Sequence, residues 1–181
     1  GLTAGITMAS LGSAVNGSTL PNDSPTEAGS GGVSTPQNDT HSQTATDTED
    51  DVLNITEVER WVWRYTNAKR AQRGLDNVSY APRIASVARD HSKSMATHSY
   101  IGHTEPNGET GEERYQGVCD YSGSDYTFGE NAANAYYDRS FVAWGTNESV
   151  YLATEKEVAR YLVNGWMRSE GHRKNILNEK W

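Results

Sequence analysis

The chain has 181 residues and a net charge of −8, and 9% of its residues are aromatic. Residues 1–51 hold seven of the 24 acids and none of the 16 bases, so the other 130 residues, with 17 acids and all 16 bases, are nearly neutral. There is no basic face for nucleic acid, no basic amphipathic helix for a membrane surface, and no apolar run of about 18 residues to form a transmembrane helix.

Residues 1–51 are rich in Ser, Thr, Gly, Asn and Pro and contain no aromatic residue. Such a segment buries too little apolar surface to offset the entropy lost on folding. It reads as a disordered, acidic, self-repelling linker. Its opening GLTAGITMASLGSAV is small and mildly apolar, and reads either as the tail of a signal-peptide core or as more linker. The domain expected to fold is 52–181, long enough for one core.

Thr56 and Glu59 have capping-box spacing, and Val58, Trp61, Val62, Tyr65 and Ala68 follow on one helical stripe. The spacing predicts a first helix over 56–73, stopped by Gly74. Pro82 opens a second helix whose inner face carries Ile84, Val87, Ala88, His91, Met95 and His98. His91 and His98 therefore read as structural histidines at the core edge. Residues 99–152 are irregular and aromatic, with a short helix expected at 110–116 and strands near 132–137 and 140–144. Thr154 and Glu157 form a second capping box, and Val158, Leu162, Trp166 and Ser169 continue its helix over 154–169. Gly171 is the expected stop, which sets His172 just past the helix end.

Six Asn-X-Ser/Thr sequons occur, of which Asn54, Asn77 and Asn147 fall in the folded part. With the linker, they point to an exported, glycosylated chain. Cys119 is the one cysteine, which excludes a disulfide framework and a Cys-based zinc site. Its neighbours include no base to favour a thiolate. No phosphate-binding Gly loop and no HExxH motif is present.

Three polar residues stand out because each follows or interrupts a regular element: His103 in Gly102-His103-Thr104, Glu130 in Phe128-Gly129-Glu130-Asn131, and His172 in Glu170-Gly171-His172-Arg173. Spacing alone does not bring them together. The segments Asn67-Ala68-Lys69-Arg70, Ile84 to Ser92, Gly102-His103-Thr104, Phe128 to Ala133 and Gly165 to Leu177 nevertheless occur in an order that resembles the CAP superfamily. That superfamily comprises cysteine-rich secretory proteins, antigen 5 and plant pathogenesis-related proteins. The closest resemblance is to the compact, disulfide-free SCP-like domains of bacteria and archaea.

The resemblance implies an α+β fold, an α-β-α sandwich around a central antiparallel sheet, with a polar cleft. It also implies that the last strands of the family fold are missing after Trp181. In the family the cleft holds two His and two Glu. His103 and His172 match the histidines and Glu130 one glutamate, while Ser169 stands at the second glutamate position. Glu170 is about 100° further round the helix and is expected to point elsewhere. Ser169 and Asn131 are expected at the cleft.

Two imidazoles with a carboxylate suit zinc or another divalent cation, with His103, His172 and Glu130 as candidate ligands. Glu130 as general base to a metal-bound water is the chemistry of a hydrolase. A His–Glu network that satisfies buried polar groups is the plainer reading. The third is an extracellular module that binds a lipid, a peptide or a cell-surface polymer. The expected location is secreted or cell-surface.

Overall fold

The computed structural model describes residues 5–8, 53–118 and 128–181. The rest of the expected linker and Cys119 lie outside these residues. The chain divides into two units, Gly1–Val15 with Leu53–Trp181, and Asn16–Val52, the second of which lies wholly outside the described residues. In order, the elements are β1 (Gly5–Met8), α1 (Ile55–Ala71), α2 (Pro82–His98), α3 (Gly111–Gln116), β2 (Asn131–Asn134), β3 (Ser140–Val142), β4 (Ser149–Tyr151), α4 (Glu155–Arg168) and α5 (Glu170–Ile176).

The α+β class holds, with β-structure of limited extent. Among the described residues the strands form two antiparallel pairs: β1 with β2, Gly5 opposite Asn134, and β3 with β4, Ser140 opposite Tyr151. Helix α2 lies against β1, and α4 lies against β2 and α1. Gly5–Met8, read from sequence as linker, is thus a strand. The unpaired backbone edge of β2 gives this stretch hydrogen-bond partners, which composition alone cannot reveal.

The core sits between α1, α4 and α5. Val58 and Val62 of α1 meet Val158, Ala159, Leu162, Val163 and Trp166 of α4, with Ile176 of α5 closing the cluster. Trp166 is 1% exposed, so the apolar stripe that predicted α4 is its packing face.

The start of α1 differs from expectation. Asn54, not Thr56, caps the helix, its side chain accepting the Glu57 N–H at 3.1 Å. Glu59 does not reach back to a cap. It is 2% exposed and takes the Arg89 guanidinium of α2 at 2.7 and 2.5 Å. A buried carboxylate needs a cation, and this need overrides the local capping pattern. In α4, Thr154 caps as expected, accepting the Glu157 N–H at 3.2 Å. In α3, Thr110 and Glu113 form a full capping box.

The end of α4 is a second correction. Ser169 is extended (φ −85°, ψ 128°) and both ends α4 and caps α5, whose first bond runs from the Arg173 N–H to the Ser169 carbonyl at 2.9 Å. Gly171 lies inside α5 and is no stop. The break comes two residues before Gly171, because a single extended serine suffices to restart the helix in a new direction.

Arg70 ties the end of the chain to α1. Fully buried, it donates to the carbonyls of Asp76 (2.7 Å), Ile176 (2.8 Å), Asn178 (2.9 Å) and Trp181 (3.2 Å). Three of these acceptors end α5 and the segment after it, whose orphan carbonyls need donors. Arg70→Met keeps the bulk and removes the donors. It is expected to cost about 3–5 kcal/mol, read as a lower urea midpoint. A loss below about 1 kcal/mol would show that water satisfies these carbonyls equally well.

Candidate functional site

The site is assembled from the turn after α2, the α3 helix, the strand β2 and the start of α5. Ser99 ends α2 in the left-handed region (φ 55°) and turns the chain towards Gly102-His103-Thr104. A bridge between Thr104 and Thr110 and the bond from the Glu105 N–H to the Glu109 carbonyl (2.8 Å) close this loop. Thr110 then caps α3 and fixes the direction in which Arg114 leaves it.

Glu130 is the centre, with a side chain only 3% exposed. Its Oε1 takes the His103 Nδ1 at 2.8 Å, and its Oε2 takes an Arg114 guanidinium N–H at 2.9 Å. Arg114, itself 9% exposed, also donates to the carbonyls of Glu109 (3.2 Å) and His103 (3.3 Å). Behind it, Glu105 accepts bonds from His91, Ser94 and Tyr100. His91 is 1% exposed; its other nitrogen faces the Gly102 carbonyl at 2.9 Å and lies 3.8 Å from Glu130 Oε1.

The loop bearing Glu130 is held on α5. Asn131, 0% exposed, donates to the His172 carbonyl at 3.2 Å. Asn175 donates to the Glu130 carbonyl at 3.1 Å and to the Asn131 side-chain oxygen at 3.0 Å. Gly129 permits this approach: a Cβ there would meet the Trp181 ring at 2.9 Å. Asn131 therefore pins the loop.

The electrostatics follow from these contacts. Burial pushes the Glu130 carboxyl up, but the His103 hydrogen bond, the Arg114 guanidinium and His91 outweigh it, so its pKa falls below the ordinary value. The hydrogen bond to Glu130 holds His103 above its ordinary pKa against burial. Burial lowers His172, and the charge of His103 lowers it further. His172 lies in the first turn of α5, not past a helix end. No hydrogen bond to its ring is found among the described residues.

The remaining expectations divide. Ser169 is half-buried at the α4–α5 break, with no side-chain capping bond. Glu170 turns to solvent and pairs with Lys174 at 2.8 Å, away from Glu130. His98 is exposed and bonds the Ser94 carbonyl at 2.9 Å, so it is not a core-edge residue, whereas His91 is fully built into the network. Sequence reasoning missed Arg114 and Glu105 altogether. The one available signal was the Thr110–Glu113 capping box, which fixes a six-residue helix and so the residue after Glu113.

Among the described residues no group of three or more His, Cys, Asp and Glu side chains is arranged to hold a metal ion. Glu130 has both oxygens engaged. Its contact with His103 Nδ1 leaves Nε2 as the outward nitrogen, which is how carboxylates orient ligating histidines. The described residues do not form a closed metal centre; a cation there would have the His103 and His172 imidazoles as its candidate donors, with other positions open.

The sequence profile of the cysteine-rich secretory protein family, CAP, matches residues 63–181. The chain belongs to the CAP family. The CAP domain here is similar to the uncharacterized protein YkwD of Bacillus subtilis (strain 168), 31% identical over 124 residues, which cover 68% of this chain and 39% of YkwD. It is also similar to the uncharacterized membrane protein YlbC of the same bacterium, 28% identical over 127 residues, 70% of this chain and 30% of YlbC. The chain thus spans well under half the length of both. No solved structure gives a significant match.

The pKa directions give a test of the CAP site. In imidazole-resolved NMR titrations, His103 is expected to titrate above 6.5 and His172 below it. Glu130→Gln should bring His103 back down. Stability follows with a definite sign. The Glu130 contribution is present above its unfolded value near 4.5 and lost as pH falls through the lower folded value. The His103 contribution is full below 6.5 and lost as pH rises through the higher folded value. Coincident titration of the two histidines would refute the arrangement.

Proposed function

We propose that this CAP domain is an exported binding module whose His103–His172 pair takes a divalent cation such as zinc. Glu130 then orients the first histidine rather than acting on a substrate. The observation that carries this reading is the bond from His103 Nδ1 to Glu130 Oε1, which leaves Nε2 presented on a half-exposed ring. The burial-lowered pKa of His172 supports it, since a ligating imidazole must be neutral. Export is supported by the acidic, Ser/Thr-rich segment before residue 52 and by exposed sequons at Asn54, Asn77 and Asn147. The description of the relative YlbC as a membrane protein agrees with a place at the cell surface.

The hydrolase alternative asks Glu130 to take a proton from bound water. Two engaged carboxylate oxygens and an ion pair with Arg114 argue for an orienting role instead. The lipid- or peptide-binding alternative looks to the aromatic middle of the chain. There Phe141 packs against Tyr136 and edge-on against Tyr161, and Tyr115 packs tilted against Phe128. Those rings are packing residues.

Calorimetric zinc titration separates the readings. Uptake is expected to disappear in both His103→Ala and His172→Ala. It should weaken about 10–100-fold in Glu130→Gln, as for other residues that support a ligand. It should strengthen as pH rises through the His103 pKa, because the imidazole must lose its proton first. Unaltered uptake in either histidine variant would sink the proposal. Turnover of ester or peptide substrates that vanishes in Glu130→Gln with zinc retained would favour the hydrolase.

A further inference from the structure

The β3–β4 hairpin carries a feature that the cleft does not use. Its inner face, Phe141 and Val150, packs on the core, and Phe141 meets the Tyr161 ring edge-on at 5.3 Å. Its outer face is exposed, and at its tip Trp144 is 88% exposed. A tryptophan so bare has no packing role in the isolated chain, and such surface is normally kept small.

The tip is rigidly built. The Ala143 N–H bonds the Glu148 carbonyl at 2.9 Å, and the Thr146 N–H bonds the Ala143 carbonyl at 3.1 Å. Gly145, at the third position of that turn, has φ 74°, as a type II turn requires. The Thr146 hydroxyl donates to the Ala143 carbonyl at 3.2 Å and accepts the Glu148 N–H at 3.1 Å. The strand register pairs Phe141 with Val150 and Val142 with Ser149. Trp144 and Asn147 are the first and last residues of the four-residue loop between Ala143 and Glu148, whose backbones are bonded. Asn147-Glu148-Ser149 is a sequon, and all three residues are exposed.

We propose that Asn147 carries an N-linked glycan and that its first sugar lies on the Trp144 ring. This rests on the extracellular reading above. An N-linked sugar presents a face of C–H groups, and an indole face is negative, so the two attract as other positive edges and π-faces do. The occupant is tethered to the same loop, which explains why so large a ring is displayed without a packing partner. The other two sequons among the described residues lack this arrangement. Asn54 spends its side-chain oxygen capping α1, and its Ile55 and Thr56 lie within the helix. Asn77 is exposed, but the next residue, Val78, is buried with its backbone N–H and C=O both held by Asn67.

The test uses the full chain secreted from a yeast that performs N-glycosylation, compared with the unglycosylated protein from bacterial cytoplasm. Glycopeptide mass spectrometry is expected to find Asn147 occupied. In the secreted protein Asn147→Gln should lower Tm by about 2–4 °C. In the Trp144→Ala background the same change should leave Tm unaltered, and in the bacterial protein it should do nothing in either background. Trp144→Ala alone leaves folding intact because the ring touches little.

An empty Asn147 beside occupied Asn54 or Asn77 overturns the site. So does a secreted protein with all three empty. An equal Tm loss in both backgrounds overturns the role of Trp144. Detection of the chain only inside the cells of its source would overturn the extracellular reading, and the modification with it, even with Asn147 occupied in yeast.

Discussion

The arrangement of the site depends on one buried carboxylate. Glu130 lies in an interior position where an ionised acid survives only with partners on both oxygens. It has them: His103 on one side and Arg114 on the other. Each partner belongs to a different segment, one to the turn after α2 and one to α3. The carboxylate therefore joins two elements that share little apolar contact. The short length of α3 and the openness of the loop before it make sense in this light. The loop is fixed by polar bonds, and α3 is held both by them and by the buried Tyr115 ring against Phe128.

The second half of the arrangement is set by α4 and α5. Trp166 and its neighbours seat α4 against α1, and the extended Ser169 redirects the chain into α5. This single break brings Asn175 to the Glu130 carbonyl and places the His172 carbonyl on Asn131. The amides of the buried Asn131 and the half-buried Asn175 thus convert a change in helix direction into the position of a histidine. Arg70 anchors the far end of the same segment to α1, so the small helix is fixed at both ends.

Much of the fold is legible in the sequence where a residue's role is local. The stripes on α1 and α4, most of that on α2, Pro82 at the head of α2, and Thr154 as a cap all act within one or two turns. They appear where the spacing places them. What fails is local chemistry overridden from a distance. Glu59 has the spacing of a capping glutamate, but Arg89 lies across the helix pair and claims it. Gly171 has the look of a stop, but no backbone position there calls for positive φ, and the break falls at Ser169. The same limit governs the site. His103, Glu130 and His172 are recognisable by family resemblance. Arg114 and Glu105 are not, because nothing local marks Glu105 and only the capping box before it marks Arg114. Their importance arises only when the folded chain surrounds them with His91, Glu130 and each other.

The charge arrangement also explains what Ser169 changes. Glu130 is already neutralised by Arg114, and Glu105 is satisfied by His91, Ser94 and Tyr100. A second acid at position 169 would have needed its own cation in a half-buried place. A serine avoids that cost. On the proposed reading, a cation held there meets neutral donors alone, and its charge is not balanced by the protein. Whatever completes its coordination must come from solvent or from a ligand, and an anionic ligand gains most. On that reading the serine leaves the cation's remaining positions open, and an open site is the form suited to capture rather than to structural stapling.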